Sequence, residues 1–414
     1  MIRREAVLPD PWRAARYKAY PEIGPRIVFF TGGTALRELS RTLAEYSHNC
    51  VHLITPFDSG GSSAVLRKAF GMPAVGDIRN RIMALADRTV RGNPEVGALF
   101  AHRFPKDAGE EELRETLADM IRGSHPLVRR APEPLRSLAR YHLRYFFERM
   151  PRDFDLRGAS VGNLILAGGY FNNERNLEAV IFLFSRLAKA RGVARPIVDA
   201  DLHLAARLED GSLILGQRRL TGKEVPPIAS RVADLWLTAG EDDPAPVDAS
   251  ISPEVAAAIR GADLICYPMG SFYTSLMANL LPGGVAGAIA DNRNPRVYLP
   301  NLGHDPEEWG MRLGDKIRTL GERLARGLAR DRAAGTGAEA GARPDAEAVR
   351  EARLLDVVLL DAGNPGYGSA RDVDEAGREA ERLGAQLVFA PLSARNRRDR
   401  LDPRLTAEHL LSLI

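Results

Sequence analysis

The chain has 414 residues, 45% of them hydrophobic and 27% charged, a balance that supports a sizeable buried core and excludes disorder, collagen and coiled coil. At about 150 residues per domain, that length suggests two to three modules or one large α/β domain with insertions. The 57 basic and 54 acidic side chains leave a formal charge of +3, too small by itself to imply nucleic acid. Only six of the basic residues are lysines, so a lone arginine carries little weight as a phosphate ligand here.

Cys50 and Cys266 sit in or beside apolar, strand-like runs, the usual setting of a small core residue in a reducing compartment. Two cysteines are too few for a disulfide framework or a cysteine-rich zinc site. Arg3, Arg4 and Glu5 stand where a signal peptide would need an apolar core. No apolar run approaches the about 18 residues of a membrane span. A cytoplasmic protein with neither nucleic acid nor membrane as partner is expected.

After a proline-rich lead-in, Arg26 to Phe30 reads as a short buried strand because its apolar residues are nearly continuous and a glycine turn follows. From Ala35 the spacing changes: Leu36, Leu39, Leu43 and Tyr46 share one helical face. Val51 to Thr55 is the next strand, which completes a βαβ unit and predicts a parallel sheet with right-handed crossovers. From about Arg88 to Met150 the chain reads as helical, with the cleanest spacing over Glu111 to Ile121 and Leu135 to Phe147. Pro126, Pro132 and Pro134 divide these two helices. Leu164 to Ala167 and Leu177 to Leu187 are two further helices, and Leu202 to Leu208, Asp210-Gly211 and Leu213 to Leu215 make a β-hairpin. Asp263 to Tyr267, Arg296 to Leu299, Leu355 to Leu360 and Gln386 to Ala390 supply the remaining strands, and Arg332 to Arg343 reads as a flexible loop. The fold class is α/β, a doubly wound, mostly parallel, Rossmann-like sheet. The expected division is a first half at 1–87, a helical insertion at 88–150 and a second half at 151–414 completing the same sheet.

Three segments carry chemistry. Thr31-Gly32-Gly33-Thr34 lies between a strand and a helix, where free N–H groups and the helix dipole favour an anion; a tight βα turn without a ligand is the alternative. Asp58-Ser59-Gly60-Gly61-Ser62-Ser63 follows the second strand, and Gly76-Asp77-Ile78-Arg79-Asn80 comes soon after. Two glycines with flanking hydroxyls let a backbone approach a phosphate, and Asp58 and Asp77 suit a divalent metal or an attacking hydroxyl; a solvated aspartate or helix cap is the alternative for either. Gly270-Ser271-Phe272-Tyr273-Thr274-Ser275 again follows a strand and opens a helix, with three hydroxyls and a Tyr273 ring suited to stacking on a base or sugar. Two such cradles on one sheet fit a diphosphate at the switch point, with Asn163, Asn279 and Asn301 as candidate supporting amides. The eight histidines form no metal pattern, and no Gly-x-Gly-x-x-Gly follows the first strand. The arginine run Arg395, Arg397, Arg398 and Arg400 reads as a solvated loop.

Taken in this order, with Gly162-Asn163-Leu164 and Val297 to Asn301, the segments resemble the family that joins 2-phospho-L-lactate transferase (CofD-type) with the gluconeogenesis-factor proteins that bind uridine-diphosphate sugars. The resemblance implies a nucleoside-diphosphate-linked ligand, guanosine or uridine, with Mg2+ as cofactor and a homodimer as the assembly. It implies that Asp58 and Asp77 are catalytic, with Asp58 also holding the metal. Nucleotide and phosphate contacts would come from Thr31 to Thr34, Ser59 to Ser63, Asn80, Asn163, Gly270, Ser271, Tyr273, Thr274, Ser275 and Asn301. In the transferase branch a phospholactyl group passes from a guanosine-diphosphate-linked donor to an acceptor hydroxyl, releasing GMP. The alternative is a non-catalytic regulator that binds a nucleotide sugar. Here Ser59 follows Asp58 where that second branch has a further aspartate, and Gly76 to Asn80 is closer to that branch than to the transferases.

Overall fold

The computed structural model describes residues 7–414 apart from 88, 90, 91, 223, 224, 304, 337–345, 395 and 396. Arg88, His304, Arg395 and the 337–343 part of the alanine- and glycine-rich stretch therefore lie outside the described residues. In chain order the strands are Ile27–Thr31 (β1), Val51–Ile54 (β2), Val193–Pro196 (β3), His203–Leu208 (β4), Leu213–Leu215 (β5), Val232–Thr238 (β6), Leu264–Tyr267 (β7), Arg296–Tyr298 (β8), Val357–Asp361 (β9), Gln386–Ala390 (β10), Ser393–Ala394 (β11) and Arg397–Leu401 (β12). The chain divides into two compact units, Met1–Thr55 with His203–Ile414, and Pro56–Leu202.

In the first unit six strands lie in the order β10-β9-β8-β7-β1-β2, and every pairing among them is parallel. The expected α/β sheet is present, and its continuous apolar strands reflect cover on both faces. Side-chain alternation sends Ile27, Phe29, Leu264 and Cys266 to one face, where they join Leu36, just before the helix Arg37–Leu43, Leu39 and Leu43 within that helix, and Leu410 and Leu411 of the helix Pro403–Ser412. Val28, Phe30, Ile265 and Tyr267 point the other way and are equally buried, with the Phe30 and Tyr267 rings stacked 5.7 Å apart. Each of these large side chains contributes about 1.5–3 kcal/mol by leaving water.

From β1 the chain passes through Arg37–Leu43 to β2 on one side, whereas from β7 it passes to β8 on the other. Neighbouring strands whose connections diverge mark a switch point, where a crevice opens at the strands' C-terminal ends.

The predicted hairpin is present as β4 and β5, paired Ala205 to Leu215 and Arg207 to Leu213 around a left-handed Gly211. A third strand, β6, pairs antiparallel with β4 and was not expected from the sequence. Two expectations need correction. Arg332 continues the helix Leu313–Thr336, because arginine and alanine are strong helix formers, and Arg397–Leu401 is a strand paired with β11 instead of a solvated loop.

The second unit is mainly helical. Glu110–Arg122 and Leu135–Arg149 contain the two helices read from spacing, and Leu177–Leu187 has the bounds expected. The helix Val161–Asn172 is much longer than the Leu164 to Ala167 core that the sequence suggested, and Val161 to Tyr170 are all buried. No helix among the described residues is long and apolar enough to cross a membrane.

Candidate functional site

At the switch point of the first unit lies a cavity of about 260 Å³. Its walls are Phe30 to Ala35 at and after the end of β1, Pro268 to Ser271 with Ser275 and Leu276 after β7, and Asn301, Gly303, Asp305 and Pro306 after β8. Two of the three segments singled out in the sequence, the Gly32-Gly33 turn and the Gly270 segment, thus share one cleft.

The turn after β1 holds its shape through local bonds. Thr31 donates its hydroxyl to the Gly32 carbonyl at 3.1 Å, and its own carbonyl accepts from the buried Asn279 amide at 2.9 Å. A Cβ on Gly32 would stand 2.5 Å from Ser275 Oγ, so only glycine lets the two turns come this close. A Cβ on Gly33 would meet nothing within 4 Å, so no atom of the described residues fills the space on that side of the turn. The following helix begins only at Arg37, with Leu36 making no side-chain cap, so the glycine turn itself, and not a helix end, faces the cleft.

Asn301 fastens the opposite wall: its Oδ1 accepts from Gly270 N–H at 2.9 Å and its Nδ2 donates to the Gly270 carbonyl at 2.7 Å. The segment Phe272–Met277 is a single wide helical turn, and its N-terminal N–H groups are not available as a phosphate cradle. Phe272 N–H donates to Asp305 Oδ2 at 2.9 Å; Tyr273 and Thr274 N–H donate to Glu307 Oε2 at 2.9 and 2.8 Å. Thr274 also gives its hydroxyl to Glu307 Oε1 at 2.5 Å. Tyr273 is 4% exposed and its hydroxyl reaches Met311 Sδ at 3.4 Å, so it packs beneath the cleft instead of stacking on a base. Burial pushes its phenol well above the ordinary range. Of the residues expected to bind phosphate here, Gly270, Ser271, Ser275 and Asn301 line the cleft, while Tyr273 and Thr274 do not.

Sequence reasoning missed the acidic run Asp305-Pro306-Glu307-Glu308. Its signal was available, since it follows the C-terminal end of a strand, where ligands bind in such sheets. Burial pushes the Glu308 carboxyl up to about 6, against the pull of Lys316, whose Nζ donates to Glu308 Oε2 at 2.5 Å.

The other predicted residues gather in the second unit. Asp58 accepts the Gly60 N–H at 3.0 Å through Oδ1, just before the helix Gly61–Phe70. Gly76 opens the helix Gly76–Leu85 with Asp77 in its first turn. A Cβ on Gly76 would lie 2.5 Å from Ser63 Oγ, 3.4 Å from Asp58 Oδ2 and 3.8 Å from Asn163 Nδ2, which places these four residues together. Ser62 Oγ accepts from Ser160 N–H at 3.3 Å. Arg79, buried, donates to Ser160 Oγ and, at 2.7 Å, to Asn80 Oδ1; Asn80 is thereby held by protein. Ser59 is buried. Three helix N-termini thus meet here: Gly61–Phe70, Gly76–Leu85 and Val161–Asn172.

The family model described as 2-phospho-L-lactate transferase CofD matches residues 27–381. A Nostoc sp. protein is 30% identical over 298 residues, which cover 72% of this chain and 52% of that protein, so the match spans about half of it. The gluconeogenesis factor of Bacillus subtilis is 29% identical over 305 residues, 73% of this chain and 76% of that protein. The fold is similar to the crystal structure of a UPF0052-family member from Bacillus halodurans, with TM-score 0.64 and 23% identity over 94% of this chain and 99% of the other.

Proposed function

The chain belongs to the family of 2-phospho-L-lactate transferase CofD, and from that premise we propose that it binds a nucleoside-diphosphate-linked small molecule in the cleft at the ends of β1 and β7. One observation carries the reading: the Gly32-Gly33 turn and the Gly270 segment line one cavity at the switch point of a doubly wound sheet. Backbone donors at the Gly33 turn can approach phosphate oxygens without a side chain between them. The similarity to the gluconeogenesis factors of Bacillus subtilis and Halalkalibacterium halodurans favours a regulatory binder over an enzyme.

A second reading, transfer of a phosphorus-containing group with release of GMP, is favoured by the family description and by the Asp58, Ser63, Gly76 and Asn163 cluster. Mg2+ takes hard oxygen donors, commonly one or two carboxylates together with ligand phosphates. The Asp58 carboxylate and the buried Asn163 amide oxygen, which has no hydrogen-bond partner, fit that chemistry. Among the described residues no group of three or more His, Cys, Asp or Glu could cage an ion without a ligand's help. Asp58 would hold the ion, which would neutralise charge on phosphate oxygens, and Asp77 would orient an acceptor hydroxyl.

Incubation with Mg2+ and guanosine- or uridine-diphosphate-linked donors separates the readings. Saturable binding without nucleoside monophosphate release supports the regulator; release that Asp58→Asn abolishes, with nucleotide affinity held within a few-fold, supports the transferase. Absence of any nucleotide binding would remove both.

A further inference from the structure

The cleft has a chemical polarity. Among the described residues that line it, Asp305 alone carries a charge. Behind it stands Glu307, 1% exposed, and together the two carboxylates hold the N–H groups of Phe272, Tyr273 and Thr274. The donors that a phosphate would seek at this end are therefore already bonded to anions, and a second anion would be repelled. At the other end no carboxylate among the described residues lines the cleft, and a Cβ on Gly33 would meet nothing within 4 Å, which leaves room there for a phosphate.

Asp305 itself is fixed, not mobile: Oδ2 accepts from Phe272 N–H at 2.9 Å and Oδ1 from Glu307 N–H at 3.2 Å. An ionised carboxylate has about four acceptor positions, so each oxygen retains one for a further donor. A carboxylate held by two backbone donors, and presented to a cavity, is a preorganised acceptor for a pair of adjacent hydroxyls.

Resting on the nucleotide reading of this cleft, we infer that Asp305 determines specificity by accepting the ribose hydroxyls of the bound nucleotide, whose diphosphate then lies at the Gly32–Thr34 end. The protein distinguishes ribonucleotides from deoxyribonucleotides through this one side chain. Inorganic pyrophosphate, having no hydroxyl pair, gains nothing from it.

The test is calorimetric titration of the full chain with guanosine and uridine diphosphates, their 2′-deoxy counterparts and inorganic pyrophosphate. The expected result is at least tenfold preference for the ribo form of whichever nucleotide binds. Asp305→Asn should bring that preference within about threefold while pyrophosphate binds as well or better, because a carboxylate accepting a hydroxyl bond is worth about that much more than a neutral acceptor. Glu307→Gln, which alters the same turn without lining the cavity, should keep the preference even if all affinities fall. Equal affinity of the wild-type protein for ribo and deoxy forms overturns the inference and leaves nucleotide binding standing. So does an Asp305→Asn variant that keeps the preference, or one whose pyrophosphate affinity falls in parallel. If no nucleotide binds to the wild-type protein, the cleft reading and the inference both fail.

Discussion

Thr274 gives both its backbone N–H and its hydroxyl to Glu307, at 2.8 and 2.5 Å, and the same carboxylate takes the Tyr273 N–H at 2.9 Å. Three buried donors therefore depend on one side chain. Glu307→Ala leaves all three unsatisfied and should cost about 3 kcal/mol or more, since each stranded buried donor costs about 1–3 kcal/mol. Glu307→Gln retains one acceptor oxygen and should cost clearly less. Urea denaturation of the two variants checks the order, and a Glu307→Ala penalty below about 1 kcal/mol would show that the turn re-forms its bonds elsewhere.

Gly168 sits where two helices of the second unit touch. A Cβ there would lie 1.8 Å from the His142 carbonyl oxygen and 2.6 Å from its carbon, both backbone atoms that cannot swing aside. Gly168→Ala should therefore separate Leu135–Arg149 from Val161–Asn172 and cost about 3 kcal/mol or more. Gly97 is the contrast: it lies within the helix Pro94–Ala101 and a Cβ there meets nothing within 4 Å. Gly97→Ala should raise stability by about 0.5–1 kcal/mol through helix propensity and a less flexible unfolded chain. Thermal melts of both variants provide the comparison, and equal shifts would contradict it.

His142 is fully covered, and burial holds its ring down to about 4, with a hydrogen bond from the ring to the Ile165 backbone pulling the other way. The unfolded chain takes up a proton below about 6.5 while the folded ring stays neutral. Stability from this residue is thus complete above pH 6.5 and is lost as pH falls toward 4, about 3 kcal/mol in all at about 1.4 kcal/mol per unit. Glu308 works in the opposite sense: its raised value means that stability declines as pH rises from about 4.5 to about 6. Comparing His142→Gln with the wild-type protein between pH 7.5 and 5 isolates the histidine; the variant should lose less stability on acidification, and parallel curves would contradict the assignment.

The sheet was legible because its strands are short apolar runs followed by turn residues, and β1, β2, β7, β8, β9 and β10 fall within a few residues of where those runs stand. The hairpin was legible from Asp210-Gly211, but β6 was not, because Asp234 interrupts its apolar pattern and its partner β4 is distant in sequence. The helix Val161–Asn172 runs well beyond the Leu164 to Ala167 core because glycine, a weak helix former, is held in it at Gly168 and Gly169 by the close approach of the neighbouring helix. For the cleft, the glycine turn and the Gly270 segment were visible as strand-terminal loops. The carboxylates of Asp305 and Glu307 stand in a strand-terminal loop too, but their pairing with the Phe272 to Thr274 N–H groups was not visible, since the partners lie more than thirty residues apart. Hydroxyls and N–H groups in a segment show what it can bond to; only the fold shows what they are already bonded to.

The central claim, that the cleft between β1 and β7 holds a nucleoside diphosphate, is tested most directly by Gly33. Its Cβ position is empty, so Gly33→Val should change folding stability by no more than about 1 kcal/mol while its side chain projects where the phosphates would lie. Titration of wild-type and Gly33→Val protein with guanosine and uridine diphosphates should give one site per chain for the wild type and at least tenfold weaker binding for the variant. Unchanged affinity in a folded Gly33→Val protein, or no binding to the wild type, would contradict the account.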